Sequence, residues 1–224
     1  MTSMGIILHD PPFERWVQYL FNHPVTDPAW YWDLTVDQVD VNPRLVVAYV
    51  TRLFEESGAL LAEFSDGQLN HGLWFLVSTS EVLYALRDKN VALDHRIQCV
   101  RSISQIFQQL FAERCTPHLS HLEIVGASPL NRICYMWWDI LSHHGQPNDP
   151  SRRAVDSACL EVMEETLALP SIACQESALH GLGHWALYYP ERCSEAVDGF
   201  LASHPRLSPN LVEYAKCART GMVQ

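Results

Sequence analysis

One stretch of the sequence places three potential metal ligands at helical spacing. Glu176, His180 and His184 stand four residues apart, so on a helix they share one face. Imidazole nitrogens and a carboxylate are ligands that zinc or iron accepts, and His71 or a distant carboxylate would complete the set. Gly181 stands where the zincin motif HExxH has its glutamate, so the general base of that motif is missing. The stretch indicates either a metal-dependent enzyme or, as we prefer, histidines packed between helices.

The same stretch carries two glycines inside a predicted helix. Glycine there costs about 1 kcal/mol relative to alanine, so Gly181 and Gly183 predict that another backbone or a ligand approaches closely. His118 and His121 follow Thr116 in a short predicted helix. We interpret these two histidines as packing residues that join a metal site only if folding brings in a third ligand.

Aromatic residues supply the candidate binding surface. Trp137 and Trp138 are adjacent, so they cannot point to the same helix face. Either one of them is exposed at a groove or, as we favour, both bury their edges between neighbouring helices. Exposed aromatic residues often dominate protein interfaces. Trp185 and His71 complete the set of residues that we predict to form this surface.

The elements that position these residues are helices with recurrent start signals. A capping side chain followed by proline, as in Asn42-Pro43, Ser128-Pro129 and Ser208-Pro209, is typical of a helix N-terminus. Apolar spacing of three or four residues predicts helices over 12–22, 43–57, 66–77, 79–88, 90–114, 129–144, 150–168, 171–188, 191–203 and 209–219. We expect Gly145 to end one of them as a left-handed stop. No stretch alternates with period two, so the sequence predicts an all-α chain.

The arrangement of the helices is indicated by residues 150–203. The stretch CLEVMEETLALPSIACQESALHGLGHWALYYPERCSEAVDGFL joins two apolar helices through a short turn that contains proline. It resembles a repeat of the HEAT/armadillo class, although Gln175 replaces a frequent arginine and the turn lacks the usual aspartate. The resemblance implies antiparallel helix pairs stacked as a short right-handed superhelix, with an irregular helical bundle as the alternative. We expect an acidic, aromatic-rich segment over 1–42, packed on or leading into the body, and a single all-α domain over 43–224.

Composition narrows the class of function. The 15 basic and 26 acidic residues give a net charge of −11, and no basic stripe is present, which disfavours nucleic acid and anionic membranes as partners. The same charge disfavours a HEAT-like DNA-repair enzyme. No run of 18 apolar residues occurs, so we expect no membrane span. Seven cysteines without a CxxC pair are typical of buried free thiols in a reducing compartment, so we predict a cytoplasmic protein.

These observations favour a non-catalytic protein–protein interaction module, or scaffold, with an acidic surface that bears aromatic residues. Its expected partner is a basic protein, and no cofactor is required. The alternative is a metal-dependent enzyme that uses Glu176, His180 and His184 with zinc or iron.

Overall fold

Helices make up most of the chain. The computed structural model describes residues 6–122, 125–141 and 143–223. The helices are α1 (Phe13–Phe21), α2 (Pro43–Glu55), α3 (Ser57–Leu60), α4 (Asp66–Ser78), α5 (Ser80–Arg87), α6 (Leu93–Ile106), α7 (Ala112–Arg114), α8 (Pro129–Ile140), α9 (Arg153–Leu167), α10 (Ile172–Trp185), α11 (Pro190–Ser203) and α12 (Pro209–Arg219). A π-helical turn at Phe107–Phe111 joins α6 to α7, and 3-10 turns lie at Trp30–Trp32 and Ser120–Leu122. The prediction of an all-α fold is confirmed, and none of these helices, within the described residues, is long and apolar enough to cross a membrane.

Several helices begin where the capping signals predict. The Asn42 side chain accepts a hydrogen bond from the backbone N–H of Leu45 at 3.2 Å, and Ser208 accepts one from Leu211 at 3.3 Å. Ser65 and Gln68 form a reciprocal capping box at the start of α4. Local side-chain hydrogen bonds therefore set these starts, because they satisfy N–H groups that have no partner inside the helix.

The N-terminal segment contains a small element that periodicity does not reveal. Strands β1 (Ile7–His9) and β2 (Gln38–Asp40) pair in parallel, and three residues are too few for an alternating pattern to be recognised. Between them, Trp30 is 5% exposed, stacks on His23 with ring centroids 3.9 Å apart and contacts Phe75 of α4. This segment thus packs against the helices through Trp30, whereas Trp32 is 70% exposed.

The longer helices follow one another in two series of neighbours. In one series, α6 packs between α2 and α9. In the other, α8 packs between α4 and α10, and α10 in turn packs against α12. One continuous hydrophobic core lies between the two series, with Phe107 and Trp137 among its largest buried side chains.

The segment after α8 differs from the prediction. The helix ends at Ile140 instead of continuing to a stop at Gly145. Beyond it, Asp156 is fully buried and accepts hydrogen bonds from the backbone N–H of Gln146 at 2.5 Å and from the Tyr189 hydroxyl at 2.9 Å. The buried His143 lies 3.3 Å from the same carboxylate. These contacts hold His143 and Gln146 in a loop, because a buried carboxylate requires hydrogen-bond donors.

Candidate functional site

The tryptophans expected at a binding surface lie in the core. Trp137, Trp138 and Trp185 are 0%, 2% and 1% exposed. Trp137 packs among Phe54, Phe107 and Phe111, whereas Trp138 lies against Gly181 of α10 and stacks parallel to Phe107 with ring centroids 6.5 Å apart. The expectation that one of these residues lines an exposed groove is therefore corrected: adjacent positions point in different directions, but neighbours pack on each side of α8.

The two glycines of α10 mark close side-chain packing. A Cβ atom at Gly181 would lie 2.6 Å from Cδ1 of Trp138, and one at Gly183 would lie 2.5 Å from Cγ1 of Val223. Both distances are shorter than real Cβ contacts allow. The close approach that the glycines predict is therefore present. The approaching groups are the side chains of Trp138 and Val223, whereas the sequence predicted a backbone or a ligand.

Glu176 of α10 is a fully buried carboxylate with three donors. Its Oε2 accepts the backbone N–H of Ser120 at 2.7 Å, and its Oε1 accepts the backbone N–H of His121 at 3.1 Å. His121 Nδ1 lies 2.6 Å from the same Oε1. Burying a charge is costly unless it is paired and hydrogen-bonded, so these three contacts fix the 3-10 turn at Ser120–Leu122 onto α10.

A ring contact connects this turn to a chain of hydrogen bonds in the core. The His121 ring stacks on Tyr214 of α12 with centroids 4.5 Å apart. The Tyr214 hydroxyl lies 3.0 Å from the Tyr135 hydroxyl and 2.7 Å from His180 Nδ1. His180 Nε2 in turn lies 3.1 Å from His184 Nε2. Residues of α8, α10, α12 and the 3-10 turn thus form one polar cluster inside the helical body.

Burial sets the protonation of this cluster. It lowers the pKa of His180 to about 3, and the neighbouring His184 adds a smaller lowering. Burial also raises the pKa of Tyr214 well above its usual range, and it raises that of Tyr135. His180 is therefore neutral at pH 7 and has one ring N–H to share between Tyr214 and His184.

The proposed metal ligands are only partly brought together. His180 and His184 face each other as expected from their spacing, but the Glu176 oxygens bind the turn at residues 120–121. Within residues 6–122, 125–141 and 143–223, no three His, Cys, Asp or Glu side chains are arranged to hold a metal ion. His71 packs edge-on to Tyr31 with centroids 6.4 Å apart, in the N-terminal part of the molecule. The zinc or iron hypothesis stays a prediction.

A large open groove runs along α6. It measures about 1160 Å³ and runs between the C-terminal end of α2 and the outward face of α9. Its lining residues are Glu55, Asp94, Ile97, Gln98, Arg101, Ser102, Ser104, Gln105, Gln108, Ala154, Ser157, Glu161 and Glu165. Polar residues of α6, among them Asp94, Gln98 and Gln105, therefore form much of the lining. The sequence contains that signal, but it does not show which helices lie on either side.

Comparison with known proteins identifies no family for this chain. No family model matches the chain, and no curated protein or solved structure matches it. The geometry of the polar cluster and of the α6 groove therefore carries the functional argument, and the HEAT/armadillo resemblance stays a prediction.

Proposed function

We propose that this protein is a HEAT-like helical scaffold that binds a basic segment of a partner protein in the groove along α6. The neighbour series α2–α6–α9 and α4–α8–α10 supports this arrangement, because stacked helix pairs place successive helices side by side in two layers. Such a stack presents an extended concave face to a partner.

The observation that carries the proposal is the charge of the groove. Four carboxylates line it, those of Glu55, Asp94, Glu161 and Glu165, against the single guanidinium of Arg101. The sum, 1 − 4, gives a net charge of −3 for the lining. An acidic groove of this size attracts cationic side chains, and the net charge of −11 for the whole chain adds to that attraction at long range.

Two of these carboxylates are available to a partner. The Glu161 carboxylate already binds Arg101, with Nη2 to Oε2 at 2.9 Å. The side chains of Asp94 and Glu165 are exposed and have no ion-pair or hydrogen-bond partner in the part of the chain that the structure describes. Asp94 and Glu165 are therefore the residues that we expect to meet arginine or lysine side chains of the bound segment.

The remaining lining suits a polar peptide. Gln105 and Gln108 present side-chain amides that can donate to and accept from a peptide backbone. Ile97 supplies an apolar patch for the aliphatic stem of a long basic side chain. The occupant that fits is a segment with spaced arginine or lysine residues, bound mainly through charge and therefore sensitive to salt.

Fluorescence anisotropy with a labelled peptide rich in arginine and alanine tests this proposal. The same peptide with glutamate in place of arginine is the first control. The protein variant is the double substitution Asp94→Asn and Glu165→Gln. Its matched control, Glu191→Gln with Glu195→Gln, makes the same change of charge at exposed positions of α11 outside the groove.

We expect the arginine peptide to bind and the glutamate peptide not to bind. Each exposed charge pair contributes roughly 0.2–1 kcal/mol, so the groove variant should weaken binding roughly 2- to 30-fold at low salt. The α11 variant should keep nearly full affinity. Equal loss in both variants would show that only the overall charge matters, and that result would contradict a binding site in the groove.

A further inference from the structure

A second cavity lies on the other series of helices, next to the polar cluster. It measures about 670 Å³ and is formed by residues 119–121, the first half of α8 and Asn70 of α4. None of its lining residues belongs to the α6 groove. Its volume is in the range of small-molecule sites, which usually combine an apolar lining with a few convergent polar groups.

His121 enters this cavity in a fixed orientation. Its Nδ1 lies 2.6 Å from the buried Glu176 carboxylate, and its ring face stacks on Tyr214. A carboxylate that already receives two backbone N–H groups accepts hydrogen bonds, so Nδ1 carries the proton and Nε2 is left as an acceptor. Nε2 has no hydrogen-bond partner among the residues that the structure describes. A histidine whose Nδ1–H is held by a carboxylate in this way is arranged to act as a general base through Nε2.

Two more polar groups line the same cavity. The Arg132 side chain is exposed and has no ion-pair partner among the described residues. The Asn70 Oδ1 atom is buried and, in that same part of the chain, has no hydrogen-bond partner. His121, Arg132 and the Asn70 side-chain amide thus line one small cavity.

We propose that this cavity hydrolyses small carboxylic esters that bear an anionic group. Arg132 binds the anion, and the Asn70 side-chain N–H donates a hydrogen bond to the ester carbonyl oxygen. His121 Nε2 takes a proton from a water molecule, whose oxygen forms a bond to the ester carbonyl carbon. The bond between that carbon and the alcohol oxygen then breaks, and the imidazolium returns its proton to this leaving oxygen. The products are a carboxylic acid and an alcohol, and Glu176 acts as the positioning residue that orients His121.

Hydrolysis of two aryl esters by the full chain tests this activity. The probes are para-nitrophenyl succinate, which is anionic, and para-nitrophenyl acetate, which is neutral. We expect His121→Gln to lower kcat at least roughly 100-fold. Arg132→Gln should raise KM for the succinate ester roughly tenfold and leave the acetate ester unchanged. The matched controls, His95→Gln and Arg206→Gln, alter exposed residues outside the cavity and should keep wild-type rates.

The role of Glu176 has its own readout, which does not depend on turnover. Long-range proton–nitrogen correlation NMR identifies which ring nitrogen of His121 carries the proton. We expect the Nδ1–H form in the wild type, and a mixture of forms with lower kcat and unchanged KM in Glu176→Gln. Wild-type protein with the proton on Nε2 would overturn the proposal, as would equal ester hydrolysis by the wild type and His121→Gln.

Discussion

Alanine at Gly181 tests whether the packing of α10 on α8 is as close as the structure describes. The new Cβ would lie 2.6 Å from Cδ1 and 2.7 Å from Cγ of Trp138, so one of the two must shift. The Trp138 ring is buried and stacks parallel to Phe107, so it has no free space into which to retreat. Overpacking of this kind costs roughly 1–3 kcal/mol.

Gly199 of α11 provides the matched control. It is also inside a helix, but apart from its chain neighbours and the backbone of its own helix no atom lies within 4 Å of the position that its Cβ would take. Alanine there should stabilise the protein by up to about 1 kcal/mol, because alanine is the better helix former. The same gain applies at Gly181, so it cancels in the comparison of the two variants. Gly181→Ala should therefore be less stable than Gly199→Ala by roughly 1–3 kcal/mol.

Urea denaturation followed by far-UV circular dichroism measures this difference. For a chain of this size it corresponds to a gap in Tm of roughly 2–12 °C between the two variants. In the Trp138→Leu background, the smaller leucine side chain leaves room for the new Cβ, so Gly181→Ala should cost less stability than it does in the wild type. A double-mutant cycle detects this difference as coupling between the two positions. Equal stability of Gly181→Ala and Gly199→Ala would refute the contact between α10 and Trp138.

Three further predictions concern stability. The pKa of His180 is about 3 in the fold and 6.5 in the unfolded chain, so the unfolded state binds more protons than the folded state between these pH values. Urea titrations should therefore show the free energy of unfolding falling from pH 6.5 toward pH 3, by at most about 1.4 kcal/mol per pH unit from this group. His180→Gln should flatten that slope. Tyr214→Phe, which removes the hydroxyl shared by two buried partners, should cost roughly 1–3 kcal/mol in chemical denaturation, whereas the exposed Tyr84→Phe should cost nothing measurable. Trp30→Ala should lower the free energy of unfolding by roughly 3–5 kcal/mol, and Trp32→Ala by less than about 0.5 kcal/mol; similar losses in both would contradict the packing of the N-terminal segment.

The helix starts could be predicted from sequence because they depend on neighbours in the chain. Asn42 and Ser208 each cap an N–H three residues ahead, and that contact forms in any tertiary setting. The end of α8 could not be predicted in the same way. It depends on Asp156, whose buried carboxylate holds Gln146 in a loop.

The polar cluster also contains one contact that the sequence predicts and one that it does not. The spacing of His180 and His184 correctly placed them on one face of a helix, where their Nε2 atoms meet. The pairing of His121 with Glu176 spans 55 residues and leaves no local pattern. Its physical cause, a buried carboxylate that needs donors, becomes visible only when the fold brings the two residues together.

The measurement that tests the proposed groove most directly is NMR mapping of the arginine peptide on the isotope-labelled protein. Binding in the groove should place the largest shift changes at Asp94, Arg101, Gln105 and Glu165. These changes should weaken with added salt, and the glutamate peptide should cause none. Changes concentrated on the opposite series of helices, or equal changes with both peptides, would contradict binding of a basic segment in the α6 groove.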